Sequence, residues 1–235
     1  MNKQSQAIQN MFSEIAPHYD RVNSVLSLGI HHLWKKKLVS LSQLKSGQAV
    51  LDCATGTGDL ALRYKDKVGT DGRVVGTDFC KEMIDLAPEK AKAAGMDISF
   101  EIADACNLQY TENEFDCTSI SFGIRNVEDT KAALKELSRV TRPTGKVMIL
   151  EFGQVKVPVV GQAYNFYSNV VLPKVGGLIS GKPSAYKYLN DSSQEFPCGQ
   201  DFVDLAMSTG AYEKVEYWPL SLGVAYIYRM QPKKN

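Results

Sequence analysis

The spacing of apolar positions changes twice along the chain. Through the first 45 residues it is helical. Ile8, Met11, Phe12 and Ile15 share one face, Pro17 ends or bends that element, and a second helix is predicted over about 32–41. From residue 48, apolar runs of strand length alternate with amphipathic stretches. Strands are predicted at 48–53, 73–77, 98–102, 115–122 and 146–152, and helices at 60–68, 81–94 and 130–139. Gly95 stops the second of these helices, and a turn at 143–145 precedes the fifth strand. The run at 115–122 is long and apolar enough for the middle of a sheet. Four or five alternations of strand and helix across 46–152 predict a parallel sheet covered on both faces.

Residues 153–195 break this rhythm. They carry Phe166, Tyr167, Tyr186 and Tyr188 and a Gly-rich stretch at 176–181, and they read as an insertion over the sheet with a mobile middle. A helix at 200–208, ended by Gly210, precedes two final strands at 215–218 and 224–230, expected as an antiparallel pair at the sheet edge.

Composition narrows the picture. The 235 residues fit one domain, and 44% of them are apolar, enough for a sizeable core. The 27 basic residues nearly balance the 26 acidic ones, which argues against a nucleic-acid partner. The first ten residues lack the apolar run of a secretory signal, and no stretch of about 18 apolar residues offers a membrane span, so a cytoplasmic location is expected. The five cysteines include no CxxC pair. They fit neither a disulfide framework nor a zinc site, no metal is expected, and Cys53 and Cys117 read as core fillers.

The strongest chemical signal is the run VLDCATGTGD at 50–59. Gly56 and Gly58 permit a tight turn and close approach to a ligand, and Asp52 stands at the strand end. A dinucleotide site wants GxGxxG, but Ala61 occupies the third position, and a P-loop wants a Gly-Lys-Ser/Thr ending that is absent. An acidic turn suits the ammonium and sulfonium of S-adenosylmethionine better than it suits a pyrophosphate. Asp78 ends the next strand 20 residues after Gly58, at the spacing of a carboxylate that accepts the ribose hydroxyls; the bland reading is a helix cap. Asp104 is a candidate partner for the adenine amine, or else a solvated loop acid.

Beyond this turn the chain resembles the menaquinone and ubiquinone biosynthesis C-methyltransferases. The resemblance rests on FSEIAPHYDRVN at 12–23, LSLGIHHLW at 26–34, GTGDLA at 56–61, ISFGIRNV at 120–127, LEF at 150–152, YKYL at 186–189 and SQEFP at 193–197. It departs at Thr55 and Thr144, where glycines are common, and at the end of the last strand, where YIYR stands at 226–229 in place of a run that often holds a histidine. The resemblance implies a Rossmann-like class I S-adenosylmethionine-dependent methyltransferase fold with a mostly parallel seven-stranded sheet. It divides one methyltransferase domain into a helical N-terminal cap (1–45), a cofactor-binding core (46–152), a substrate-side insertion (153–195) and a C-terminal helix and strands (196–235). Cofactor residues fall by resemblance on Thr57, Asp78, Asp104, Ala105 and Ser121, with Asp52, Gly56 and Gly58 in the cofactor turn.

The reaction implied is methylation of a ring carbon of a polyprenylated quinol: demethylmenaquinol, or 2-methoxy-6-polyprenyl-1,4-benzoquinol, or both. Such chemistry needs alignment of carbon and methyl, and stabilisation of a phenolate. Arg125 is the candidate for holding the phenolate and Asn126 for orienting that oxygen or the cofactor; the leader adds Tyr19, Asp20, Asn23, His31 and His32 as candidates, of which Asp20 or a histidine could take a proton, directly or through water. Tyr19 and Asp20 equally fit a closure of the leader over the cofactor, and Glu151 fits either the site or a structural pair with Arg125. Tyr164 and Tyr167 are further candidates from the insertion, whose apolar run suits an isoprenoid tail. A tail dissolved in lipid implies peripheral contact at the inner face of the plasma membrane, with Lys174, Lys182 and Lys187 near headgroups. A homodimer or a quinone-biosynthesis complex are the protein partners the resemblance admits. The competing readings are a small-molecule or sterol methyltransferase, a nucleic-acid methyltransferase (against which the missing Asn/Asp-Pro-Pro-Tyr/Phe motif counts) and a non-catalytic S-adenosylmethionine-binding assembly protein.

Overall fold

The computed structural model describes residues 3–155 and 157–233. Three leader helices come first: α1 (Lys3–Ile15), α2 (Tyr19–Leu26) and α3 (Ile30–Ser42). Then follow β1 (Ala49–Cys53), α4 (Asp59–Val68), β2 (Arg73–Asp78), α5 (Lys81–Ile84), α6 (Ala87–Ala93), β3 (Ser99–Ile102), β4 (Phe115–Ser121), α7 (Thr130–Val140) and β5 (Thr141–Phe152). The insertion forms α8 (Pro158–Phe166), a wider helical turn at Tyr167–Val171, α9 (Leu172–Ser180) and α10 (Pro183–Glu195). The chain closes with α11 (Gln200–Met207), β6 (Tyr212–Leu220) and β7 (Ala225–Pro232).

All seven strands join one sheet in the order β3-β2-β1-β4-β5-β7-β6. β1 to β5 are parallel, and β7 runs antiparallel to both β5 and β6. Burial on both faces explains the near-continuous apolar strands. Leu51, Cys53, Ile149 and Tyr228 pack in a layer with Leu134 and Leu137 of α7 and Phe202 of α11. Their sequence neighbours Val50, Met148, Leu150 and Ile227 pack in the opposite layer with Leu38 of α3 and Tyr64 of α4. α7 begins where Asp129 caps it, one carboxylate oxygen accepting from the Lys131 and Ala132 amides at 2.9 and 3.0 Å; such a cap is worth about 1 kcal/mol.

A third apolar cluster joins the leader to the insertion. Ile15, Ala16 and Val22 meet Cys80 and Met83 from the segment after β2, and Ala185 and Tyr186 from α10. The leader and the insertion are thereby bound to each other beside the sheet.

Four local expectations are corrected. The helix expected at 81–94 is broken in two, because Pro88 lacks an amide donor and starts α6 in its first turn. β5 begins at Thr141, and a register shift between Phe115 and Cys117 in its pairing with β4 takes up the 143–145 turn. The Gly-rich stretch expected to be mobile is mostly helix. A Cβ on Gly176 or Gly177 would lie 2.6 Å from the Tyr186 ring or from Pro183, so these glycines admit α10. The closing strands are longer than expected, reaching Tyr212–Leu220 and Ala225–Pro232. Among the described residues no helix is long and apolar enough to cross a membrane.

Candidate active site

The strand order reverses between β1 and β4, so a crevice opens beyond their C-terminal ends. Both strands leave through left-handed residues, Ala54 at φ 49° and Phe122 at φ 58°. Such a conformation costs a non-glycine residue about 1–3 kcal/mol and persists only when its surroundings enforce it. Here they do: a Cβ on the next residue, Gly123, would sit 2.5 Å from the Ala54 Cβ. Gly56 and Gly58 are also left-handed, at φ 58° and 84°, and a Cβ on Gly58 would press on Ala87 and Phe100 at 3.1 Å.

Two buried acids organise this loop. Asp52 is 1% exposed. Its Oδ1 accepts from Ser119 Oγ at 2.6 Å and its Oδ2 from Thr55 Oγ1 at 2.7 Å. The departure at Thr55 therefore supplies a clamp on the acid. Burial pushes the Asp52 carboxyl up to about 6, against those two bonds. Asp78 Oδ2 accepts the Gly56 amide at 2.8 Å and Oδ1 the Cys80 amide at 2.9 Å, while burial raises its carboxyl. Each carboxylate oxygen retains a further lone pair for a ligand hydroxyl. Asp104 is exposed and accepts the Cys106 amide at 2.9 Å.

Two cavities meet at the crevice. One of about 530 Å³ is bounded by Asp78, Phe79, Asp104 and Ala105, with Gln9 and Phe12 of α1 over it. Gln9 Nε2 donates to the Phe79 carbonyl at 3.0 Å and pins α1 there. The other, about 170 Å³, lies among α2, α3, the insertion and the β4 and β5 ends. Tyr19, Ala54, Gly56, Ser121 and Phe122 line both. Ser121 Oγ and Asn126 Nδ2 are buried without a hydrogen-bond partner. Such groups cost about 1–3 kcal/mol each unless a ligand satisfies them.

Charged groups close the smaller cavity. Lys90 Nζ donates to Asp20 Oδ2 at 2.7 Å, Asp59 Oδ1 at 2.6 Å and Thr57 Oγ1 at 3.0 Å, and Thr57 Oγ1 donates to Asp20 Oδ1 at 2.7 Å. Asp20 thus ties α2 to the glycine loop and to α6. Arg125 pairs with Glu151 at 2.5 Å, their side chains only 4% and 2% exposed. Its Nη1 also donates to the Phe122 carbonyl at 3.0 Å and its Nε to Ser192 Oγ at 3.3 Å. Burial pushes the Tyr19 phenol up to about 12, opposed by nearby Arg125. Burial, with Lys35, lowers His31 to about 4, so its imidazole is neutral at pH 7. His31 Nδ1 meets Ser27 Oγ at 2.5 Å.

Nearly all the residues singled out in the sequence converge here. Tyr19, Asp20, Asn23, His31, Arg125, Tyr164 and Tyr167 line the smaller cavity, with Asp52 and Thr57. Asn126 lines the larger one, beside the nucleoside-sized space. Gly58 lines neither and caps α4. His32 is turned to Arg63, 3.2 Å away, and Glu151 serves as the partner of Arg125. Ligand atoms of His31, His32 and Asp59 lie within 4.8 Å of one another. Lys35 and Lys90 on Asp59, and Arg63 on His32, oppose a divalent cation there. Sequence reasoning missed Gln9, Phe12, Phe79, Lys35 and Lys90. Only Phe79, directly after Asp78, carried a positional signal.

The two cavities together fit S-adenosylmethionine on their own chemistry: buried Asp78 for hydroxyls and the orphaned Ser121 and Asn126 atoms at the larger, and buried Asp52 for a cation at the smaller. This sheet and crevice define the class I S-adenosylmethionine-dependent methyltransferases. A SAM-dependent methyltransferase of Thermotoga maritima shares the fold with TM-score 0.69 at 16% identity, covering 96% of this chain and all of that one. One from Aquifex aeolicus has TM-score 0.59 at 18% identity, over 84% and 89% of the two chains. The chain belongs to the ubiE/COQ5 methyltransferase family, matched over residues 1–231. A relative from Bdellovibrio bacteriovorus, named ubiquinone/menaquinone biosynthesis C-methyltransferase UbiE, is 61% identical over 222 residues, 94% of each chain. A Haemophilus ducreyi relative of the same name is 38% identical over 97% of this chain and 88% of its own.

Proposed function

We propose that this enzyme methylates a ring carbon of demethylmenaquinol, giving menaquinol and S-adenosylhomocysteine, with 2-methoxy-6-polyprenyl-1,4-benzoquinol as a second acceptor. Family membership supports a quinone-pathway substrate, and the family relatives are named for both pathways. The observation that carries the reading is the common wall. A cavity suited to a nucleoside and an aromatic cavity holding a buried guanidinium share Tyr19, Gly56, Ser121 and Phe122.

S-adenosylmethionine supplies, when bound, an electrophilic methyl group. The protein supplies alignment and charge. Asp78 and Asp104 would hold the nucleoside, and Ser121 Oγ and Asn126 Nδ2, unpartnered in the protein, would find partners on the same ligand. Trp34, Phe122 and Phe152, with ring centroids 4.4 to 6.4 Å apart, form the apolar wall against which the quinol ring lies. Arg125 stabilises the phenolic oxygen as negative charge develops there. With the cofactor bound, the ring carbon so activated would take the methyl as the sulfur–methyl bond breaks and its electron pair stays on the neutral thioether of S-adenosylhomocysteine, and the ring would then release one proton to regain aromaticity. His31, neutral and of lowered basicity, serves as a hydrogen-bond partner or relay for that proton more than as a strong base. Asp20 acts by closing the leader.

Exposed apolar side chains occur on the same segments that line the acceptor cavity. Leu28 and Leu33 flank the α2–α3 turn, Phe166 and Leu178 lie on the insertion, and Leu222 lies on the β6–β7 turn, with Leu28 and Leu178 85% and 87% exposed. Their neighbours Ser27, Trp34, Tyr167 and Val224 line the cavity. This rim supports peripheral contact with a bilayer from which a prenylated quinol enters. Lys182 and Lys187 are poor headgroup partners, being paired with Glu14 at 2.9 Å and Asp191 at 2.6 Å, whereas Lys174 is exposed.

The deciding experiment is a methylation assay on demethylmenaquinol and methoxy-benzoquinol of matched tail length, presented in phospholipid vesicles. Methyl transfer to the naphthoquinol is expected. Cofactor binding with transfer to neither acceptor would overturn the reading in favour of an assembly protein.

Asp52 adds a pH signature. An acid raised to about 6 in the fold stays protonated in mildly acidic solution, where the unfolded chain has already released that proton. Its ionisation therefore costs stability as pH climbs from the ordinary carboxylate value to about 6. A bound ammonium favours the ionised form and expels the proton. S-adenosylhomocysteine affinity should therefore rise with pH up to about 6, by at most about tenfold per unit, and level off above it. Calorimetry across pH 5–8 checks this, and the Asp52→Asn variant should lose the component centred near 6.

A further inference from the structure

Lys35 of α3 is a largely covered cation short of partners. Its side chain is 14% exposed, and its described anionic contact is Asp59 Oδ2 at 3.5 Å, the outer limit of a hydrogen bond. Asp59 itself is better served by Lys90 at 2.6 Å. Burial would raise the Asp59 carboxyl, yet Lys35 and Lys90 together hold it down at about 2, so its charge is already met. Lys35 is thus left with donors to spare in a place where water is scarce. An ammonium in that position calls for another anion.

The surroundings say which one. Lys35 lines the smaller cavity together with Asp52, Gly56, Thr57 and Asp59, on the side of the glycine loop. Burial lowers its proton affinity, and Asp59, Asp52 and Asp20 oppose that and favour its charged form. The methionyl end of the cofactor is a zwitterion. A wall bearing Asp20, Asp52 and Asp59 attracts its ammonium but repels its carboxylate. Arg125, the guanidinium of the same cavity, is held by Glu151 through Nη1 and is already assigned to the phenolic oxygen, so it is not spare for a second anion. Lys90 is committed to Asp20, Asp59 and Thr57. We propose that Lys35 receives the carboxylate of the cofactor's methionyl group, so that Asp52 and Lys35 grip the two charges of one zwitterion from β1 and from the leader. Because α3 belongs to the leader, the cofactor itself then fastens the leader over the crevice.

The test uses the full-length protein, with S-adenosylhomocysteine and its decarboxylated analogue as paired probes in titration calorimetry. A charge-assisted bond at a buried site predicts that the wild type prefers the carboxylate-bearing ligand by about tenfold or more. Lys35→Met should weaken that ligand by the same factor and leave the decarboxylated analogue within about twofold, erasing the preference. Lys35→Arg should restore most of it. A merely structural role would weaken both ligands alike, and that result overturns the proposal. So does a wild type that binds the two probes equally, a result that does not depend on any variant folding.

Discussion

Replacing Arg125 by alanine should lower turnover by about 100-fold or more while S-adenosylhomocysteine affinity stays within about threefold, as for loss of a preorganised donor to a developing oxyanion. The variant also disturbs the fold. Glu151 is 2% exposed, and its Oε2 already lacks a partner. Removing Arg125 strands that carboxylate, whose carboxyl burial raises, and breaking such a pair costs about 3–5 kcal/mol. Stability and chemistry are separated by the paired variant Arg125→Gln with Glu151→Gln. A neutral amide pair should recover most of the melting temperature and none of the turnover. Thermal melts beside single-turnover rates check both halves. Near-normal turnover in the stable double variant would end the case for Arg125 as the phenolate partner.

The second large effect belongs to Asp78. Its carboxylate accepts the Gly56 and Cys80 amides and faces the nucleoside cavity. Asp78→Ala removes the proposed ribose acceptor and releases the glycine turn together. Bonds to a charged acceptor are worth about 1.5–3 kcal/mol each, so cofactor affinity should fall by about 100-fold. Asp78→Asn keeps the shape and one acceptor oxygen and should fall by about tenfold. Equilibrium binding of S-adenosylhomocysteine reads both. Equal affinities of the wild type and the alanine variant would reduce Asp78 to a helix cap for the segment after β2.

Much of this was written locally in the chain. The alternation across 46–152 marks the strand ends, and Asp52, Asp78, Asp104 and Ser121 are legible because each stands at or just beyond one. Pairings across the fold are not local. Asp20, the pair Thr57 and Asp59 of the glycine loop, and Lys90 come from three separate segments, and nothing in their spacing joins α2 and α6 to that loop. Arg125 and Glu151 lie at the ends of adjacent strands, which placed both at the site but left their pairing open until β4 and β5 were seen side by side. Gly176 and Gly177 misled because a glycine pair signals flexibility in sequence, whereas here it makes room for an aromatic ring and a proline. Lys35 is one of three consecutive lysines in the sequence, and only its lower exposure distinguishes it from Lys36 and Lys37.

The left-handed pair Ala54 and Phe122 forms part of the wall between the two cavities, locked against Gly123. With the cofactor and the quinol in these two cavities as proposed, main chain would gauge the interval from donor to acceptor, while most of the lining of the smaller cavity is side chain from the leader and the insertion. Mutation can therefore rework which ring is accepted without retuning how far the methyl travels. A lineage built on this plan is free to wander in substrate while its transfer distance is inherited intact.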